Sequence, residues 1–209
     1  MTIIGLKMNN LIEYLDEILP NAKCSLNYNK DYELLIAVML SAQTTDERVN
    51  IVTEKLFKKY NTLKELKDAD IEDIKQIIYS LGSYNKKALN IKNIALNLEN
   101  IGYVPNDRKL LESLDGVGRK TANVVLSILY SEPCMPVDTH IERISKRLGF
   151  AKEKDNPLII EKKLMKLIPK DKTTLIHHQL IQFGRTVCKA KNPLCSECKM
   201  KDVCKKKKL

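Results

Sequence analysis

The chain has 209 residues, 44% of them apolar, with no Trp, enough to bury one core or two small helical lobes. No apolar run reaches the about 20 residues of a membrane span, and the N-terminus lacks a signal-peptide pattern, so a cytoplasmic protein without a membrane segment is expected. Lys and Arg exceed Asp and Glu by ten; more than half of that excess lies after residue 187, which suits a polyanion and equally a solvated tail.

Residues 8–19 place Leu11, Ile12, Leu15, Ile18 and Leu19 at helical spacing, and Pro20 ends the pattern. Asp31 is expected to cap the next helix, where Tyr32 to Leu40 is apolar nearly all round and predicts the centre of the core. Ser41-Ala42-Gln43-Thr44-Thr45-Asp46 breaks that run. Helices are then expected over 47–60, 68–80, 85–100, 106–114, 121–130, 139–148, 161–168 and 173–189. Nothing alternates with the period of two that a sheet needs, so the fold class is all-α.

Between the helices over 106–114 and 121–130 lies Leu114-Asp115-Gly116-Val117-Gly118-Arg119-Lys120. Gly116 and Gly118, around one valine, are expected to take positive φ and leave backbone bare, so the N–H groups of this hairpin and of the following first turn can hold an anion such as a DNA phosphate. Arg119 and Lys120 stand where the helix macrodipole disfavours cations. That placement makes sense if Arg119 faces phosphate and Lys120 is to lose its proton, because a lysine at its reference pKa of about 10.4 is almost wholly protonated at neutral pH and is no nucleophile. Taken alone, Lys120 also fits a solvated surface lysine.

A carboxylate follows at Asp138. The helix from Lys120 to Tyr130 is about 16 Å long and the segment to Val137 can span about 23 Å, so the chain is long enough to return Asp138 beside the helix start. Asp138 also fits an N-cap for the helix that follows, and both roles are compatible. Cys188, Cys195, Cys198 and Cys204 place four thiols within 17 residues. In a reducing compartment that pattern points to metal rather than disulfides, and the spacing alone leaves an iron–sulfur cluster and tetrahedral zinc both open. Cys24 and Cys134 are expected to be buried apolar residues, and His177 and His178 plain helix residues.

Leu114 to Val125 followed by Val137-Asp138-Thr139-His140-Ile141-Glu142-Arg143 resembles the helix-hairpin-helix and catalytic segment of the endonuclease III family of DNA glycosylases. Leu34 to Asp46 is similar to the family's early helix and loop, Tyr84-Asn85-Lys86-Lys87-Ala88 to its middle, and Cys188-x6-Cys195-x2-Cys198-x5-Cys204 to its cluster segment. Three departures stand out: Asp115 in place of a usual proline, Ser83 in place of a leucine wedge, and Phe183 in place of a frequent histidine.

The resemblance implies a two-lobed helical DNA glycosylase fold, with one domain over 22–132 and another over 1–21 plus 133–209. It implies a bifunctional glycosylase and AP lyase of base-excision repair that removes oxidised pyrimidines from duplex DNA and cuts 3′ to the abasic site by β-elimination. Lys120 and Asp138 are its catalytic residues. Gln43, Gly116, Val117, Gly118, Arg119, Lys189 and Lys191 are its DNA contacts, with Gln43 filling the gap left by the flipped nucleotide. Cys188, Cys195, Cys198 and Cys204 hold a structural [4Fe-4S] cluster. The expected partner is double-stranded DNA with a damaged base or abasic site; the expected state is a nucleoid-associated monomer. A glycosylase of other base preference, a non-enzymatic helix-hairpin-helix module and an iron–sulfur redox protein are the alternatives.

Overall fold

The computed structural model describes residues 2–205; Lys206, Lys207 and Lys208 of the basic tail lie outside them. Among the described residues there are eleven α-helices, two 3₁₀ turns and no strand, so the all-α expectation holds. No described helix is long and apolar enough to cross a membrane. The chain divides into two compact units, Ser25–Tyr130 and the combination of Met1–Cys24 with Ser131–Leu209.

The unit Ser25–Tyr130 is built round α2 (Asp31–Leu40), in which every residue from Glu33 to Leu40 is buried. A helix apolar on all sides needs neighbours on all sides, and α3 (Asp46–Lys59), α6 (Tyr84–Ile101) and α8 (Arg119–Leu129) supply them. Each fully buried side chain such as Leu34, Leu35 or Ile36 contributes about 1.5–3 kcal/mol. Asp31 is not the cap. It is the first helical residue; Lys30 is the N-cap, and Glu33 reaches back so that its Oε2 accepts from Asn29 N at 2.7 Å and Lys30 N at 3.3 Å, fixing the chain as it enters the helix.

The helix expected over 68–80 is the shorter α5 (Ile71–Ile78), and ahead of it stands a helix that was not expected, α4 (Leu63–Asp68). Thr62 and Glu65 close a reciprocal capping box on α4, and Asp70 caps α5 through Glu72 N at 2.9 Å. Both pack on α6, while α7 (Arg108–Glu112), capped by Asp107, packs on α8.

The second unit joins α1 (Ile3–Ile18) to α9 (Thr139–Arg147), α10 (Pro157–Leu164) and α11 (Thr173–Thr186). Its core includes Leu11, Leu15, Ile141, Ile144, Ile176, Leu180 and Phe183, and Cys188, Cys198 and Cys204 pack against that core. Asp16 of α1 accepts from Gln179 Nε2 and Lys172 Nζ, both at 2.9 Å, and these bonds hold its carboxyl below the usual value. Helix α10 starts four residues earlier than expected because Asn156 caps it and Pro157, preset to helical φ, occupies N1. Helix α11 ends at Thr186, three residues short of the expectation.

Candidate functional site

In the unit Ser25–Tyr130 the hairpin joining α7 to α8 presents backbone and two cations. Gly116 has φ +76, and a Cβ there would lie 2.2 Å from Asn90 Nδ2 and 3.2 Å from Met39 Cγ. Glycine is therefore required at 116 for both conformation and room. Gly118 differs from the expectation, because its φ of −93 is open to any residue and nothing of the protein lies within 4 Å of a Cβ there.

As the N-cap of α8, Gly118 makes no side-chain hydrogen bond to the first-turn amides, the kind of helix start at which an anion can bind. Val117 is 4% exposed and its N–H donates to Leu114 O at 3.1 Å. Its side chain thus anchors the hairpin in the core. Arg119 and Lys120, the first two residues of α8, are both exposed.

Asp115, exposed in the same hairpin, accepts from Asn93 Nδ2 of α6 at 2.6 Å. The loop after α2 adds Gln43, exposed and at φ +58, a conformation that costs a non-glycine residue about 1–2 kcal/mol. Ser83, immediately before α6, also has φ +58 and supplies no side-chain cap. Beside it, the rings of Tyr79 and Tyr84 meet at 4.9 Å, with Tyr79 68% exposed.

Asp138 belongs to the other unit. It caps α9, its Oδ1 accepting from Ile141 N at 2.9 Å. One oxygen is thereby occupied. Farther along α9, Arg143 Nε donates to Cys188 O at 3.1 Å and Nη2 to Gly184 O at 2.8 Å. Arg147 Nη1 donates to Cys188 Sγ at 3.3 Å and to Lys189 O at 2.7 Å, and its Nη2 to Ala190 O at 3.2 Å. These two arginines, which the sequence reading missed, fix the start of the cysteine segment. Their signal was a pair of guanidinium groups four residues apart on the polar face of an amphipathic helix.

Cys188, Cys195, Cys198 and Cys204 line one cavity of ≈ 550 Å³ together with Leu148, Phe183 and Val187. Burial pushes the Cys198 thiol up; a backbone hydrogen bond from Met200 opposes this, and Cys188, Cys204 and Cys195 reinforce it. The four sulfurs therefore share one electrostatic neighbourhood. Among the described residues no three His, Cys, Asp or Glu side chains converge as a site for one metal ion. Sulfurs standing round a cavity suit a many-atom cluster better than a single zinc with bonds of about 2.3 Å. Lys189 is half-buried and Lys191 exposed on the loop between the first two cysteines. Cys134 is buried as expected, whereas Cys24 is only half-buried.

Residues 36–170 match the model of the HhH-GPD superfamily base excision DNA repair protein, and residues 188–204 that of the iron-sulfur binding domain of endonuclease III. Endonuclease III of Bacillus subtilis is 44% identical over 196 residues, 93% of this chain and 90% of that one, and endonuclease III of Escherichia coli K12 is 43% identical over 96% of both. The chain belongs to the endonuclease III family. A solved endonuclease III–DNA covalent intermediate superposes with a TM-score of 0.93 at 44% identity, over 98% of this chain and 96% of its own.

For a member of the endonuclease III family the hairpin departure at Asp115 has a local explanation: the Asn93 bond ties the hairpin to α6 where a proline ring would have stiffened it. The family's iron–sulfur domain model begins at Cys188 and ends at Cys204, the first and last of the four cavity-lining cysteines.

Proposed function

We propose that this chain is a bifunctional DNA glycosylase and AP lyase of base-excision repair, acting on oxidised pyrimidines in duplex DNA. The observation that carries this reading is an exposed primary amine, Lys120, one residue past a side-chain-free helix cap, in a chain 44% identical to an endonuclease III captured as a covalent intermediate with DNA.

The hairpin amides and Arg119 grip a phosphate, while Gln43 occupies the gap in the stack once the damaged nucleotide has swung out. The Lys120 amine, in its neutral form, attacks the sugar C1′ and the base departs with the bonding pair. Ionised Asp138 stabilises the developing positive charge on the sugar and takes the proton from the lysine nitrogen. The ring then opens to a Schiff base on Lys120, which acidifies the C2′ hydrogen, and loss of that proton expels the 3′ phosphate. Capping uses one Asp138 oxygen and leaves the second for this role.

Cys188, Cys195, Cys198 and Cys204 hold the [4Fe-4S] cluster, which supplies a structural cross-link and no reaction step. Lys189 and Lys191 on that loop take further phosphates. We assign the hairpin and Lys120 to a domain over 22–132, and Asp138 and the cluster to a domain over 1–21 plus 133–209. The protein works as a cytoplasmic, nucleoid-associated monomer.

Borohydride trapping tests the reading on a duplex carrying one thymine glycol. The wild-type protein is expected to form a covalent adduct, Lys120→Gln to bind the duplex without forming one, and Asp138→Asn to keep its melting temperature while base release falls about 10²-fold or more. Asparagine can still accept from Ile141 N, so the variant removes charge without removing the cap. An adduct formed by Lys120→Gln would place the nucleophile elsewhere.

A further inference from the structure

Lys87, in the first turn of α6, is 6% exposed. Among the described residues its ammonium meets no carboxylate. Its Nζ donates instead to Ala42 O at 2.9 Å and to Thr44 Oγ1 at 3.4 Å. Burial pushes this lysine below its ordinary value, the mark of a charge held out of water without a counter-ion. Ala88 and Ile91 of the same helix are fully buried, and a purely structural role beside them would be filled better by an apolar residue.

The two acceptors flank Gln43. The Thr44 hydroxyl also lies 3.4 Å from Ala42 O, so ammonium, carbonyl and hydroxyl form a closed set of polar contacts round the Gln43 backbone, which sits at φ +58. Ser83, four residues earlier, has φ +58 like Gln43, but it meets Lys87 only through the main-chain bond from Lys87 N–H to Ser83 O at 3.0 Å, which any residue but proline at 87 would make. These are two of the four non-glycine residues with positive φ among those described. Strain of this kind persists only where surrounding contacts over-determine it, and at Gln43 the lysine side chain supplies a contact on each side.

We propose that Lys87 is a positioning residue for damage recognition: its ammonium clamps Ala42 and Thr44 so that Gln43 stays left-handed and exposed. The proposal rests on the reading of Gln43 as the side chain that fills the vacated stack. A preformed filler removes the need to order a loop at the moment the nucleotide leaves, which lowers the barrier to flipping without touching the chemistry at Lys120.

The test is a double-mutant cycle of Lys87→Met and Gln43→Ala in the full-length, cluster-loaded protein. It is read as the single-turnover trapping rate on an abasic site in a paired duplex and on the same strand unpaired. Each single variant is expected to lose about tenfold to a hundredfold on the duplex, the span of a charge-assisted hydrogen bond. The double variant should be no worse than the weaker single, the losses should shrink on the unpaired strand where there is no gap to fill, and Lys87→Arg should recover part of the rate. Additive losses would overturn the clamp by making Lys87 merely structural. A Lys87→Met rate equal to wild type, with Gln43→Ala impaired, would overturn the clamp and leave the Gln43 reading standing. A wild-type rate for Gln43→Ala would overturn both. If circular dichroism shows Lys87→Met unfolded, Thr44→Val replaces it in the cycle, where a loss non-additive with Gln43→Ala supports the clamp and an additive or absent one overturns it.

Discussion

At the scale of single residues, the two hairpin glycines do different work despite their shared appearance in the sequence. A methyl at 116 would meet Asn90 Nδ2 at 2.2 Å and force a side chain into φ +76, whereas a methyl at 118 would meet no protein atom within 4 Å. Gly116→Ala is accordingly expected to destabilise the fold by about 1–3 kcal/mol, and Gly118→Ala by no more than about 0.5 kcal/mol. DNA affinity should fall in both, in the second because the methyl stands where a phosphate would approach the amides. Thermal melts beside anisotropy titrations of the two variants separate these outcomes, and equal melting losses would refute the assignment. Phe183 is read at the same scale: 1% exposed, it meets the Tyr14 ring edge-on at 5.9 Å, so the position that departs from the family's frequent histidine here carries core packing.

At the scale of elements, α9 does more than carry Asp138 at its N-terminus. Its polar face delivers Arg143 and Arg147 to the carbonyls from Gly184 to Ala190 and to the sulfur of Cys188. Lys7 of α1 adds bonds to Leu148 O at 3.0 Å and Val203 O at 2.9 Å, and Lys199 pairs with Glu17 of α1. The cysteine loop is thus held by groups that lie far from it in sequence. Arg147→Met should weaken retention of the cluster by about 10–100-fold, the usual effect of removing a hydrogen bond to a ligand. Visible absorbance of the cluster followed during chelator challenge measures it, and unchanged retention would show that the four cysteines suffice.

For the whole molecule, the excess of ten positive charges makes binding to a polyanion an ionic-strength problem. Each phosphate neutralised adds about 0.9 to the slope of log affinity against log salt. Lys191 is exposed on the cluster loop, so Lys191→Gln is expected to lower that slope by about 0.9 with the melting temperature unchanged. Anisotropy titrations from low to physiological salt read the slope, and an unaltered one would remove Lys191 from the phosphate contacts.

Much of the architecture was legible from local patterns, because helix formation here follows rules of short range. The apolar run Leu34 to Leu40 marked the centre of the core, the 3.6-residue period marked α1, α3 and α6, and the spacing of the four cysteines marked a metal site while the choice of cluster over zinc came from the family resemblance. The misses were equally local: the capping box of Thr62 and Glu65 was overlooked, so α4 went unseen, and Asn156 with Pro157 started α10 early. What the sequence could not carry was the identity of partners brought together across the chain. Lys87 reaches Ala42 and Thr44 over more than forty positions, Asn93 reaches Asp115 over twenty-two, and Arg147 reaches Cys188 over forty-one. Such contacts follow from how amphipathic helices pack, and no periodicity records which polar groups the packing will strand together away from water. The sequence by itself determined the helices, the hairpin and the cysteine spacing; only the tertiary structure decided that a buried lysine would hold the left-handed loop at Gln43, because burying that charge acquires a reason only once its acceptors are in place.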